Sequence, residues 1–292
     1  DAVFMKEATA TTIALVNGKA TFNNAAARTI TGAITETSDT TELAVVNVTD
    51  TEVYIATFSG AVDVTTVTIG TTAKAGNAKF SSTVAGASTV HGGNVATEDS
   101  LMELTGTHTG AILLSQVGDG DAGLKTSGST ALSITGAITV TTDGDGVITA
   151  ANTAGTTFAA IGTHLKKALT VTVDSGADAT FGSAVAANTL TITGSATVQA
   201  VNNESEIIAM GASSILYIDD TLTNGVNVFN EVVTTRPTMT SGAKIYMPGN
   251  LKTTETLSLF EDEDDDGLSD NATTITEANA AIQDNALFDY TA

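Results

Sequence analysis

Apolar and polar residues alternate along this chain in short runs separated by glycine, asparagine and aspartate. Such alternation is typical of β-strands, because successive side chains point to opposite faces of a sheet. The clearest runs predict strands at Val64–Ile69, Leu113–Val117, Leu169–Val173 and Ile215–Ile218. Turn signals lie between the runs, at residues 118–123, 143–146 and 174–178. The pattern predicts an all-β chain.

A β-branched strand interrupted by a glycine recurs at Thr29–Thr35, Ser133–Thr139 and Thr191–Thr197. The intervals between these units are unequal, which excludes a strict short-period repeat. The sequence instead predicts degenerate coils joined by loops of variable length.

The composition favours one arrangement of such strands. The 292 residues are 42% hydrophobic but only 4% aromatic, and they include no tryptophan or cysteine. The core must therefore be built from small and β-branched side chains, which suits a parallel β-solenoid whose coils stack at about 4.8 Å. A Greek-key β-sandwich gives strands at the same spacing and is the alternative, although its core usually contains larger aromatic side chains.

We predict three regions along the chain. Residues 1–28 form an N-terminal strand or cap that can pair with another molecule, residues 29–218 form the solenoid body, and residues 219–292 form a C-terminal cap with a short helix. The pairs Asn17-Gly18 and Asn224-Gly225 predict antiparallel hairpins within the two caps.

Two segments space their apolar residues like a helix, Thr156–Leu169 and Thr276–Tyr290. The first places apolar side chains at Phe158, Ile161, Leu165 and Leu169. We expect a short helix in either segment, although Gly162 interrupts the first.

The charge balance restricts the partners. Eleven basic residues face 33 acidic ones, which gives a net charge of -22. Such a surface repels phosphate backbones, so nucleic-acid binding is not expected, and divalent cations are its natural counterions. No apolar run is long enough to span a bilayer, so membrane insertion is not expected either. A chain that begins at Asp1 fits a processed, secreted protein, and we expect it outside the cell or on its surface.

The segment Phe260–Asp270 carries the sharpest chemical signal. Its carboxylates alternate ahead of a glycine, which is the ligand spacing of a calcium loop. The predicted calcium ligands are Asp262, Asp264, Asp266, Leu268 through its carbonyl, and Asp270. Thr273 stands at the twelfth position, where an EF-hand has a glutamate, so Glu277 or a neighbouring segment would supply the remaining oxygens. Calcium is the one cofactor that the sequence predicts.

Other acidic turns contain the pairs Asp119/Asp121 and Asp143/Asp145. They are candidates for secondary calcium sites, although Asp-Gly turns form without metal.

Catalytic constellations are not evident in the sequence. The histidines His91, His108 and His164 are scattered, and arginine occurs only at Arg28 and Arg236. Nucleophile elbows, zinc motifs and phosphate loops do not occur. We therefore predict that the chain is not an enzyme, and that each histidine has a structural role.

The run from Phe158 to Val198, together with the related segment Phe80–Asn94, resembles the Ala/Thr/Gly-rich β-strand repeats of bacterial outer-surface proteins. Surface-layer proteins and autotransporter passengers belong to this group. The resemblance implies a β-solenoid used for surface coating, adhesion or filament building. The loop at Asp262–Asp270 is similar to the calcium loops of thrombospondin type 3 and dockerin-type repeats, and the likeness covers only that loop.

These expectations combine into a secreted, non-catalytic structural protein that self-assembles with copies of itself into a filament or surface layer, stabilised by calcium. A binding module is the alternative, an adhesin or fibre-like segment that recognises glycans or a host surface. A cell-surface polysaccharide is the further partner that we consider.

Overall fold

The computed structural model describes residues 2–4, 11–16, 18–24, 26–37, 41–47, 54–116, 118–163, 165–198, 205, 207–218, 238–239, 243–246 and 286–289. Every regular element within these residues is a β-strand. The described part of the chain accordingly contains no helix long and apolar enough to cross a membrane.

The strands in chain order are β1 (Ala2–Phe4), β2 (Thr12–Leu15), β3 (Gly18–Asn24), β4 (Arg28–Ile30), β5 (Ala33–Glu36), β6 (Thr41–Asn47), β7 (Ala56–Phe58), β8 (Val62–Ile69), β9 (Asn77–Phe80), β10 (Val84–Gly92), β11 (Ser100–Leu104), β12 (Ile112–Gln116), β13 (Ala122–Gly128), β14 (Leu132–Ile134), β15 (Ile138–Val140), β16 (Asp145–Asn152), β17 (Thr156–Phe158), β18 (Ala168–Val173), β19 (Asp178–Phe181), β20 (Ala187–Ile192), β21 (Ser195–Val198), β22 (Ile207–Met210), β23 (Ile215–Ile218), β24 (Thr238–Met239), β25 (Lys244–Tyr246) and β26 (Ala286–Asp289).

These strands form a parallel β-solenoid of about 8 turns, as the alternation and composition predicted. The first face runs through β1, β3, β6, β8, β10, β12 and β15. The second face runs from β4 through β7, β9, β11, β13, β16, β18, β20 and β22 to β24. The third face begins with β2 and β5, crosses the starts of β8 and β10, and continues through β14, β17, β19, β21 and β23 to β25. Strand β26 then pairs with β25 in the antiparallel direction.

Each coil visits the third, first and second faces in turn. The number of residues in each coil follows from the third-face ladder, in which paired residues are 17 to 28 positions apart. The residues of this ladder are Ile34, Val62, Val84, His108, Ile134, Phe158, Phe181, Val198 and Ile218. Loops at the corners absorb the differences in length. Coils of variable length therefore replace a strict repeat, as the unequal spacing predicted.

Inward side chains stack in register from coil to coil and form the core. The first-face column contains Phe22, Val45, Ile69, Val90 and Leu114, all fully buried. Such stacking places like side chains about 4.8 Å apart, so each apolar residue covers the one beneath it. The core is consequently a set of continuous apolar columns.

Phenylalanines of the described chain are buried in the core at positions 22, 58, 80, 158 and 181. Phe4 stacks on Phe22 with ring centroids 4.6 Å apart, and Phe58 stacks on Phe80 at 5.0 Å. Phe22 also meets Phe58 edge to face across the interior at 5.3 Å. Each such pair contributes about 0.5–1.5 kcal/mol beyond its buried area. Stacked phenylalanines thus fill the N-terminal part of the core.

The glycine of each recurring sequence unit lies at a corner. Gly136 separates β14 on the third face from β15 on the first, and Gly110 occupies the same corner one coil earlier. A Cβ atom on Gly136 would lie 1.9 Å from the carbonyl oxygen of Gly110, and one on Gly110 would lie 1.9 Å from that of Gly86. Neighbouring coils approach so closely here that only glycine fits.

Three sequence predictions are wrong in whole or in part. Residues 156–158 form β17 rather than the start of a helix, because Phe158 and Ile161 are inward residues on consecutive faces of one coil and not successive turns of a helix. Strands β2 and β3 pair with different faces instead of forming a hairpin at Asn17-Gly18. The second predicted helix is wrong at its end, since Ala286–Asp289 is a strand.

The Asn224-Gly225 hairpin and the remainder of the second helix lie outside the described residues. Strand β1 of the predicted N-terminal cap pairs with β3 of the same chain.

The glycine stack at the corner predicts that Gly110→Ala lowers the free energy of unfolding by about 3 kcal/mol, because the new methyl group overlaps the Gly86 carbonyl. Gly176→Ala is the matched control, since its Cβ would meet nothing within 4 Å and only its φ of 77° is unfavourable. We expect that control to cost about 1 kcal/mol. Urea unfolding of both variants measures the difference, and equal losses would contradict close coil packing at Gly110.

Candidate functional site

The predicted calcium ligands Asp262, Asp264, Asp266, Leu268 and Asp270 lie outside the described residues. Within the described residues, no group of three or more histidine, aspartate or glutamate side chains is placed to hold a metal ion. The primary calcium site therefore stays a prediction from the sequence.

The secondary candidates lie on one corner of the solenoid, between the first and second faces. Asp119, Asp121 and Asp143 lie in the loops 118–121 and 141–144, Asp145 is the first residue of β16, and the loop 93–99 forms the same corner one coil earlier. We call this ridge the acidic corner. The Asp121 N–H donates to Asp99 Oδ1 at 2.8 Å, and the Lys167 N–H donates to Asp143 Oδ1 at 2.8 Å. Each of these two carboxylates thus binds the backbone of the following coil, so its geometry is explained by a structural role.

Asp145 acts within its own turn instead. Asp145 Oδ2 accepts the Thr142 N–H at 2.9 Å within a single turn. Burial, and secondarily the neighbouring charge of Asp99, raise the pKa of Asp121 above its ordinary value.

The two described histidines, His91 and His108, lie apart from each other in the fold. His108 is fully buried and Ser88 is 2% exposed, and their Oγ and Nε2 atoms are 2.7 Å apart. Substrate cannot reach a serine–histidine pair enclosed in the core. His91 lies separately on β10, half-buried, with its pKa lowered by burial, and His164 lies outside the described residues.

The buried pair Ser88 and His108 occupies two positions at which the neighbouring coils have apolar residues. His108 stands between Val84 and Ile134 on the third face. Ser88 stands between Val67 and Ile112 on the first face. Their hydrogen bond therefore joins two faces through the interior, while His108 Nδ1 finds no hydrogen-bond partner among the described residues. Desolvation by burial lowers the pKa of His108 to about 4, against a smaller opposing effect of the Gly110 backbone.

The N-terminal end of the solenoid exposes a different kind of surface, which we call the terminal edge: strands β1, β2 and β4. Each is the last strand of its ladder within the described residues, with one β partner only. Strand β4 binds β7 through the Arg28 N–H and the Ile30 carbonyl, at 3.2 and 2.8 Å. Alternate residues of a strand face opposite neighbours, so the backbone of Thr29 faces outward along the solenoid axis.

Strand β2 has the same arrangement. The carbonyls of Thr11 and Leu15 accept hydrogen bonds from the following coil, at 3.3 and 3.0 Å. The backbone of Ala14 therefore faces outward, and its side chain is exposed. Together, β2 and β4 present backbone donors and acceptors in the direction in which a further coil would stack.

Arg28 closes the core at this end. Its register with Ala56 points it inward, and only 5% of it is exposed. The guanidinium donates to the Phe4 carbonyl at 3.1 Å and to the Asn23 carbonyl, which joins the first and second faces. Burial lowers the pKa of Arg28, and its Nε has no hydrogen-bond partner in the described structure. Sequence reasoning missed this role because an isolated arginine carries no pattern.

Comparison with models of known protein families found no match, and neither curated proteins nor solved structures gave one. The functional proposal therefore rests on the residues of this chain.

The buried histidine predicts a pH-dependent stability. Because the pKa of His108 is about 4 when folded and 6.5 ordinarily, the unfolded chain takes up the proton first as the pH falls. The contribution of neutral His108 to the free energy of unfolding is complete above pH 6.5. It declines as the pH falls from 6.5 to 4, by about 3 kcal/mol in total. Guanidinium unfolding at about pH 7.5 and about pH 4.5 measures this decline.

The double variant Ser88→Val, His108→Ile removes the titrating group together with its hydrogen-bond partner. It gives both positions the kind of apolar side chain that the adjacent coils have there. We expect it to lose this part of the decline, while the carboxylates titrate alike in both proteins. His91→Gln is the control and should retain most of the decline. If wild type and double variant lose stability equally, His108 is not the group responsible.

Proposed function

We propose that this protein is a secreted, non-catalytic structural protein whose copies stack end to end into an extracellular filament or surface layer, stabilised by calcium. The observation that carries the proposal is the terminal edge, where all three ladders end with one side unpaired among the described residues. Unpaired strand edges bind further strands through their backbone groups. A second copy placed there would continue the ladders.

The geometry of such a contact favours polymers. A head-to-tail contact joins different surfaces of identical molecules. It gives a closed ring only when the rotation between neighbouring subunits closes the circle, and otherwise it gives an open filament. Strands within a coil run across the solenoid axis, and stacking by one coil spacing of about 4.8 Å extends that axis.

Charge sets the conditions for assembly. Copies that each carry a net charge of -22 repel one another over about one Debye length, roughly 10 Å at 0.1 M salt. Backbone hydrogen bonds act only at contact, so long-range repulsion must first be reduced. Calcium bound by the acidic C-terminal loop would lower this repulsion at low concentration.

Outward threonine columns favour a second function. On the second face Thr149, Thr172 and Thr191 stack in register, beside Thr170 and Thr189. Regularly spaced hydroxyl groups on a flat sheet suit hydrogen bonding to a polysaccharide, so an adhesin-like binding module is the alternative. A chain that stays monomeric at high concentration with calcium would favour this second function.

Blocking the outward backbone of the terminal edge tests the first function. We expect the double variant Ala14→Pro, Thr29→Pro to fold but not to elongate. Proline removes the N–H groups that face away from the following coil, while the hydrogen bonds of β2 and β4 to the following coil remain. Electron microscopy and sedimentation velocity, with calcium present, measure filament length and subunit mass.

Ala14→Val, Thr29→Val is the matched control, since it changes the same side chains and retains both N–H groups. We expect filaments of wild-type length from this control. Filaments of normal length from the proline variant would exclude the terminal edge as the contact.

The calcium part of the proposal has a separate test. We expect Asp264→Asn, Asp266→Asn to abolish the heat of calcium binding and the calcium-dependent rise in melting temperature, which corresponds to about 2.7 kcal/mol at 100 times the dissociation constant. Glu263→Gln, Asp265→Asn removes the same charge at intervening positions of the loop. Calorimetry should show binding in this control, and identical titrations of both variants would contradict the ligand assignment.

A further inference from the structure

A projecting turn follows the acidic corner in the next coil. Thr163 and Lys166 exchange two backbone hydrogen bonds, at 2.9 and 3.0 Å, and the turn joins Ile161 on the first face to β18 on the second. Leu165 at its tip is 78% exposed, the largest exposure of any large apolar side chain in the described chain. We call Thr163, Leu165, Lys166 and Lys167 the basic turn.

The base of this turn is fixed. A Cβ atom on Gly162 would lie 2.6 Å from the Ala186 carbonyl, and the φ of Gly162 is 63°. Lys167 donates its N–H to Asp143, and the Lys167 carbonyl accepts the Gly144 N–H at 3.0 Å. The neighbouring coils therefore hold both ends of the turn, which reduces the ordering that binding there requires.

Most basic groups of the described chain are engaged within the molecule. Lys19 and Glu42 form an ion pair at 2.8 Å, as do Lys79 and Glu103. Arg28 is buried in the first coil. These groups are consequently poor contacts for another molecule.

Lys166 is the exception. Among the basic residues whose side chains the structure describes, it is the one that is exposed as a whole residue. Lys74 and Lys125 are half-buried, and Lys167 is buried. Lys166 and Lys167 are also the only adjacent pair of basic residues in the whole sequence. The most exposed apolar side chain and this exposed cation are thus neighbours at one tip.

We propose that the basic turn is a lateral docking site for the segment Phe260–Asp266 of a second copy of this chain. That segment is the longest acidic run in the sequence, and an apolar residue, Phe260, directly precedes it. The two surfaces are complementary, because Leu165 and Phe260 are both apolar and the neighbouring Lys166 and Glu261 carry opposite charges. Two molecules of net charge -22 approach most easily where one presents its exposed cation, which selects this turn.

The contact is compatible with calcium binding. The predicted ligands take alternate positions of the run, so Glu261, Glu263 and Asp265 have no predicted role in binding the metal. We assign these carboxylates as the partners of Lys166. Lateral docking joins filaments side by side, so its role in a layer rests on the proposed function, whereas the contact itself is measurable between single molecules.

The experiment uses the full chain carrying Ala14→Pro, Thr29→Pro, so that end-to-end stacking does not contribute. Sedimentation equilibrium with calcium present measures pairwise association. We expect Lys166→Glu to weaken association at least about fivefold, since an attractive pair becomes a repulsive one. Lys74→Glu is the matched control, because Lys74 closes the same kind of turn with Thr71 in an earlier coil, and it should change association little.

Charge exchange identifies the partner. Glu261→Lys, Glu263→Lys alone should also weaken association, and combining it with Lys166→Glu should restore it. The inference is overturned if the chain does not associate, if Lys166→Glu has no more effect than Lys74→Glu, or if the exchange fails to restore association. In the wild-type chain, filaments that lengthen normally yet never pair would overturn lateral docking and leave the proposed function intact.

Discussion

The structure depends on parallel hydrogen bonding between successive coils in a common register. Once Val45, Ile69 and Val90 are paired across neighbouring coils, their side chains must stack in one column. A shift of register by one residue would turn that column outward. The backbone ladder therefore decides which residues form the core, and apolar burial in turn holds the ladder in place.

The same register gives polar residues their roles. At the corner between the first and second faces, Asp99 and Asp143 accept hydrogen bonds from backbone N–H groups of the following coil. These acidic turns therefore link successive coils. Inside, Ser88 and His108 satisfy one another where two columns would otherwise be apolar. At the terminal edge the ladder stops with its outward backbone groups at Thr29 unpaired within the described chain, and this interruption is what an assembly would use.

The sequence predicted the class of fold but only part of its detail. Alternation identified β12, β18 and β23 because one face of each strand is buried. It failed at Phe158 and Ile161, since inward residues on adjacent faces of a coil imitate helical spacing. Strand partners such as β2 with β5 depend on contacts more than a dozen residues apart, which local turn signals cannot specify. Among the sites, Arg28 and Leu165 gave no motif, while the calcium loop at Asp262–Asp270 stays a prediction.

Continuity of the ladder from one molecule to the next is the central claim, and electron cryo-microscopy of the calcium-loaded assembly tests it directly. The account predicts strands perpendicular to the filament axis, with the spacing of about 4.8 Å continuing across each boundary between subunits. Strands lying along the axis, or a boundary at which β2 and β4 face solvent without a neighbouring strand, would contradict it.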